Sequence, residues 1–568
     1  MRLRALAALA VPCLLVFPAL AVGDAVIRSQ AMLASTIAEF FVEKDRIRVE
    51  LEIGLADLPA FRNLVPDEIY QKLGNPPLSL TERLPQFFRE DLAIVGEGGE
   101  RLPGRILGIE PRRRIRRDEL SGEPLPVAEG DEELVVFARL EYRLTGQPET
   151  LTIQAPGRGA SVGFVVYHRG IPVNDFRYLT PAQTLVLDWI DPWYTHFQTR
   201  NLRRAYFEPM SGFIYVEPYE VRKEIIVRPR DLQHWVDLGL ADRETIPVEM
   251  QGELKRRAAE FLRGHQPVLI DGKRVEPELA RINFLERTLT ASRVIDPPVE
   301  LDAYSAILGV IFVYPTEGLP ERVTMDWDLW SDRIQRVPGA SVDQAGPLPI
   351  YLEPDFRVLE WQNFLKNPEL PTLLVLETPP GAPVRWMGRL RWVVLIAALG
   401  VSAWWVRAPR RRAAGVGVAW AAAAIAFWIA GSGPQSNERS GALMSGLLHN
   451  IYRAFDFRDE ERIYDTLAKS VAGDLLTQTY LEARRGLELV NQGGARVKVK
   501  KIELVEFETE PAASGGFSAT ATWIVAGSVG HWGHIHQRSN QYRAALDVAP
   551  VDGVWKLVGL EILEQERL

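Results

Sequence analysis

The sequence predicts a multidomain protein with two tandem β-rich domains (sandwich-like, α+β), a two-helix transmembrane hairpin, and a C-terminal α+β cone. Three observations carry this prediction. Residues 24–380 hold an internal repeat, two uncharged apolar runs stand close together within 390–433, and helical spacing after residue 437 gives way to four strand-like runs. A length of 568 residues suits three or four domains, at about 100–200 residues each. A chain that is 47% hydrophobic and 25% charged is neither largely disordered nor collagen-like. A mean hydropathy of -0.07 excludes a protein built mainly of lipid-facing helices. A net charge of -8 offers no basic field, so no nucleic-acid partner is expected.

The first element in chain order is an export signal over residues 1–23. Arg2 and Arg4 precede the apolar stretch Ala5 to Leu20, and Ala19-Leu20-Ala21 has the small-residue pattern of a cleavage site. Cys13 is the only cysteine. Cleavage would leave a mature chain with no disulfide, resting on core size alone.

The repeat follows, as domains 24–200 and 201–380. Arg48 to Asp57-Leu58 matches Arg222 to Asp231-Leu232 at an interval of 174 (231 − 57), and Phe87-Phe88-Arg89 matches Phe261-Leu262-Arg263 at the same interval. Tyr142 to Thr152 matches Tyr314 to Thr324 at 172 (320 − 148), Tyr178 to Pro181 matches Tyr351 to Pro354 at 173 (354 − 181), and Val186 to Trp189 matches Val358 to Trp361 at 172 (361 − 189). Alternation in Ile47-Arg-Val49-Glu-Leu51-Glu-Ile53 predicts a strand with one buried face. Gly146-Gln-Pro148-Glu149 and Gly318-Leu-Pro320-Glu321 predict hairpin-like turns. Pro66 to Arg89 and Val248 to Arg263 predict a helical insertion in each copy. The run Pro379-Pro380-Gly381-Ala382-Pro383 predicts a stiff linker.

Trp392 to Val406 and Ala413 to Gly433 are uncharged, tryptophan-flanked, and near the lower length limit for crossing about 30 Å of hydrocarbon. Arg407, Arg410, Arg411 and Arg412 lie between them and favour the cytoplasmic side. With an export signal upstream, the expected location is the cell membrane, with both large folded portions on its extracytoplasmic (periplasmic) side.

In residues 437–568, Leu447, Leu448, Ile451, Tyr452 and Phe455 keep helical spacing. Asp459-Glu460-Glu461 supplies an acidic first turn for a second helix, and a third is expected from Leu475 to Val490. Strands are predicted at Ala495–Phe507, Phe517–Ala526, His531–Val548 and Val554–Leu563, with Asp552-Gly553-Val554-Trp555-Lys556-Leu557 as a turn leading into the last. This order of elements and that turn resemble the NTF2-like (SnoaL-like) superfamily. The resemblance implies an α+β cone and no single activity, because that superfamily includes enzymes, ligand binders and assembly domains.

Reading His531–Val548 with period two puts Trp532, His534, His536, Arg538, Asn540 and Tyr542 on one face. These six are the candidate ligand-pocket residues, since imidazole titrates near neutrality and guanidinium binds anions. His531 falls on the opposite face, so no metal site is expected, and no cofactor. Gly159-Ala160-Ser161-Val162-Gly163 matches a nucleophile-elbow pattern but lacks the strand-turn-helix setting, and a turn shared with Gly339-Ala340-Ser341-Val342-Asp343 is the simpler reading. Arg112 to Arg117, followed by a run of acids, predicts a solvated mixed-charge loop. No catalytic residue is assigned. The sequence therefore points to an exported, membrane-anchored binding or assembly factor with membrane, envelope-protein or polymer partners. The alternative is a ligand site or enzyme in the cone, with His534 or His536 as acid/base.

Overall fold

A computed structural model describes residues 30–114, 133–156, 160–204, 207–287, 292–368, 370, 372–377, 420, 437–457, 460–481, 496–512, 516–532 and 534–568. The expected signal peptide, the linker from Pro379 to Pro383 and nearly all of the 390–433 region lie outside these residues.

The first repeat is two sheets over one core. Its larger sheet runs Gly104–Arg113, Leu134–Arg143, Arg46–Gly54, Thr36–Val42, Val162–His168, Ile171–Pro172. The smaller runs His196–Phe197, Ala182–Val186, Thr150–Gln154, Ala93–Val95. Strict alternation buries Ala38, Phe40 and Val42 on one side of their strand. These residues pack with Ile94, Leu151 and Leu185 of the smaller sheet, with Phe61 of the turn after Arg46–Gly54 and with Phe87 of the helical insertion.

The second repeat has the same strand order. Its larger sheet runs Ser292–Val294, Glu278–Arg287, Ile307–Pro315, Glu220–Val227, Met210–Glu217, Val337–Asp343, Gly346–Leu352. In each repeat one neighbouring pair is parallel: Thr36–Val42 with Val162–His168, and Met210–Glu217 with Val337–Asp343. The helix Val248–Gly264 buries Leu254, Ala258 and Leu262, four residues apart and so on one face. Its C-terminal end is held by buried Lys223, whose Nζ donates to the carbonyls of Leu262, His265 and Gln266 at 3.3, 2.7 and 3.2 Å.

Two local expectations change. The Gly-x-Pro-Glu segments are not hairpin turns, because Leu134–Arg143 and Thr150–Gln154 belong to different sheets, as do Ile307–Pro315 and Arg322–Asp326. Local turn chemistry bends the chain but does not say which sheet receives it. Ser341 lies inside a strand and is buried, and Ser161 immediately precedes one, so the two segments do not share a turn.

The C-terminal domain places helix Asn437–Arg453 and helix Glu460–Ala468 with a four-stranded antiparallel sheet, Arg496–Pro511, Phe517–His531, His534–Val551, Val554–Arg567. Met444, Leu447 and Leu448 of the first helix pack on Phe517, Trp523, Leu546 and Val548 of the sheet. Residues 372–377 already belong to this domain. Asn450 accepts from the Leu374 amide and donates to its carbonyl, both at 2.8 Å. The Trp555 amide donates to the Leu376 carbonyl at 2.9 Å. Leu376 fits where any side chain at Gly446 would meet it at 2.9 Å.

The transmembrane hairpin is corrected. No helix among the described residues is long and apolar enough to cross a membrane. Nearly all of the two apolar runs lies outside those residues, and alanine- and tryptophan-rich runs near the minimum spanning length read alike whether they meet lipid or protein. The expectation of a transmembrane helix is withdrawn with the hairpin.

Candidate functional site

The strand expected from His531 is two strands. Phe517–His531 and His534–Val551 pair directly, His531 opposite His534, with the tight turn at Trp532 between them. Trp532 takes φ 50°, the left-handed region that such a turn requires and that a bulky aromatic rarely adopts. Trp532 is therefore not on the pocket face with the other five candidates. It projects from the end of the sheet and is buried against the second repeat.

The register keeps His534, His536, Arg538, Asn540 and Tyr542 at alternate positions, opposite His531, Val529, Gly527, Val525 and Trp523. Of these five, side-chain surroundings are described for Asn540 and Tyr542 alone. The Tyr542 ring stacks on Trp523 (centroids 5.7 Å apart, planes at 22°). Asn540 Nδ2 donates to the Tyr542 hydroxyl at 3.3 Å, and Trp523 Nε1 donates to the Tyr452 hydroxyl at 3.1 Å. Burial raises the Tyr452 pKa, so this phenol stays neutral at physiological pH. Tyr452, Trp523, Asn540 and Tyr542 thus form a polar-aromatic group beneath the first helix of the domain. Among the described residues no cluster of metal-ligating side chains occurs.

The other end of the sheet carries the site that sequence reasoning missed. The Trp532 amide donates to Glu224 Oε2 at 2.7 Å, and Arg222 Nη2 donates to the Gly530 carbonyl at 3.3 Å. Arg222 and Glu224 are two residues apart on one strand and so share a face. Burial pushes the Glu224 carboxyl above its ordinary pKa, opposed by Arg222 and by the Trp532 amide. The indole lies on Gly309, where an added Cβ would fall 2.5 Å from the ring. Ile226, Leu285, Ile307, Ile311 and Val313 of the second repeat surround it, joined by Ile171 and Trp193 of the first. All three domains therefore meet in one apolar cluster. A second contact lies alongside, where Tyr219 packs on Phe457 (centroids 4.9 Å apart) with the Arg462 guanidinium 5.2 Å from the Tyr219 ring.

The same sheet face in the first repeat is built differently. Register matches Ile226 with Glu52, Gly309 with Phe137, Ile311 with Arg139 and Val313 with Glu141. Glu52 binds Arg112, Arg112 lies 3.4 Å over the Phe137 ring, and Arg105 pairs with Glu141 at 2.7 Å. One copy presents a charged, self-paired face and the other an apolar one. The apolar substitutions and Gly309 are visible in the aligned repeats, and they are the signal that could have located the docking surface.

No protein-family model matches the chain, and no curated protein matches it.

Proposed function

We propose that this protein is an exported binding or assembly factor of the cell envelope, in which tandem β domains and an NTF2-like C-terminal domain present surfaces to protein partners or envelope polymer. The observation that carries the reading is the capture of the Trp532 turn by Arg222, Glu224 and the Gly309 slot. The C-terminal sheet uses its tip to dock onto another domain of the same chain, which supports an assembly reading. Helices preceding a long antiparallel sheet support the NTF2-like reading, and Arg2, Arg4 and the apolar run to Leu20 support export. The test is crosslinking in intact cells followed by recovery of the full chain. Envelope proteins or polymer recovered in dependence on residues 24–380 are expected, and an empty recovery sinks the proposal.

The polar-aromatic group of Tyr452, Trp523, Asn540 and Tyr542 favours a second reading, a small-ligand site in the cone. A thermal-shift screen on the full chain tests it. Stabilisation by a ligand that vanishes in Tyr542→Ala is the expected result, and no shift across the screen removes this reading.

A further inference from the structure

The grip on the Trp532 turn has a counterpart 174 residues earlier (222 − 48). Phe41, Glu43, Arg48 and Glu50 stand where Tyr215, Glu217, Arg222 and Glu224 stand in the second repeat. The geometry recurs as well. The Arg48 guanidinium lies 4.4 Å from the Phe41 ring and 3.0 Å from Glu50, and Arg222 lies 4.6 Å from the Tyr215 ring and 3.7 Å from Glu224. Each strand therefore offers a donor and an acceptor two residues, about 7 Å, apart. A tight turn supplies the complement, as Gly530 and Trp532 do with a carbonyl and an amide. In the second repeat the pair is covered, with Arg222 and Glu224 side chains 7% and 0% exposed. In the first repeat Arg48 and Glu50 remain 39% and 30% exposed.

We propose that Arg48 and Glu50 form a second turn-docking site, which takes a β-hairpin turn of a partner protein. This deepens the binding reading above and rests on it. The chemistry of the turn follows from the differences between the repeats. Phe137, with Arg112 over it, fills the place that Gly309 leaves open to the indole. The residue corresponding to Trp532 must therefore be small. It must also accept the left-handed backbone that Trp532 adopts, which favours Asn or Gly. An Asn-Gly turn meets both requirements.

The probe is a fluorescent, cyclised hairpin peptide carrying residues 525–540 with Trp532→Asn, titrated with the full-length protein. Saturable binding is expected, weakened about tenfold or more by Glu50→Gln or Arg48→Ala in the protein, as loss of a charge-assisted hydrogen bond dictates. Restoring the native Trp532 in the peptide weakens it likewise, because Phe137 leaves no slot for the indole, and Glu260→Gln on an exposed helix leaves it unchanged. Glu50→Gln preserves size and keeps the test decisive if Arg48→Ala does not fold. Absence of saturable binding, or binding that Glu50→Gln leaves intact, overturns the site. Binding abolished by Glu224→Gln instead places the peptide in the second repeat, by exchange with the chain's own turn, and also overturns it. Envelope partners recovered by crosslinking without peptide binding would leave the broader function standing and remove only this site.

Discussion

Gly309 and Phe137 hold equivalent positions in two related sheets, and this one difference decides whether an indole can dock. A Cβ at Gly309 would sit 2.5 Å from the Trp532 ring and 2.6 Å from Leu285. Gly309→Ala is expected to cost about 1–3 kcal/mol of docking through overpacking, read as lost hydrogen-exchange protection in Glu220–Val227. The penalty should shrink in a Trp532→Ala background, leaving the part that Leu285 imposes; an undiminished penalty would mean the clash is not with the indole. Lys223 is a second residue whose setting overrides its type. Burial pushes its ammonium down to about 7, whereas an unfolded lysine holds its proton to about 10.4. Between those values the unfolded chain binds more protons, so stability should rise with pH. The rise should be smaller in Lys223→Met, followed by thermal unfolding from pH 7 to 10. Equal slopes in the two proteins would refute the assignment. The setting of Lys223 was not legible in the sequence, where it looks like an ordinary member of an alternating strand, whereas Gly309 stands out only against Phe137 in the aligned repeats.

At the scale of elements, alternation located the strand Arg46–Gly54 and helical spacing located the helix Asn437–Arg453, because a buried face writes its period into the chain. The turn at Trp532 escaped because a bulky aromatic at positive φ carries no local signal; only its burial partner in another domain favours it. Of the six candidate pocket residues, five stay at alternate strand positions and Trp532 leaves for the domain junction. The segment 372–377 is a similar case. It lies far from Asn450 in sequence yet is clamped by that side chain at both backbone groups of Leu374. Asn450→Ala should open the segment, and limited proteolysis should then cut within 363–377 faster than in the unchanged protein. Unaltered cutting would show that the Asn450 clamp is dispensable.

At the scale of the molecule, the repeats are joined by buried charge. The Arg228 guanidinium is fully buried, bound to both oxygens of Asp191 (2.8 and 2.5 Å) and to Asp231, and flanked by Trp193 and Tyr194. Asp191 belongs to the first repeat and Arg228 to the second. Removing one partner of such a pair strands the others, so Arg228→Ala should cost about 3–5 kcal/mol, measured by urea unfolding; a change under about 1 kcal/mol, the range of a surface pair, would contradict the clamp. The sequence by itself determined the period of the repeat, the β-rich character of both copies and the helices-then-sheet order of the last domain. These are written in local spacing and in internal comparison. Tertiary structure alone decided which sheet receives each turn and that Trp532 binds the second repeat rather than opening a pocket. Those outcomes depend on contacts between residues hundreds of positions apart, which no local pattern encodes.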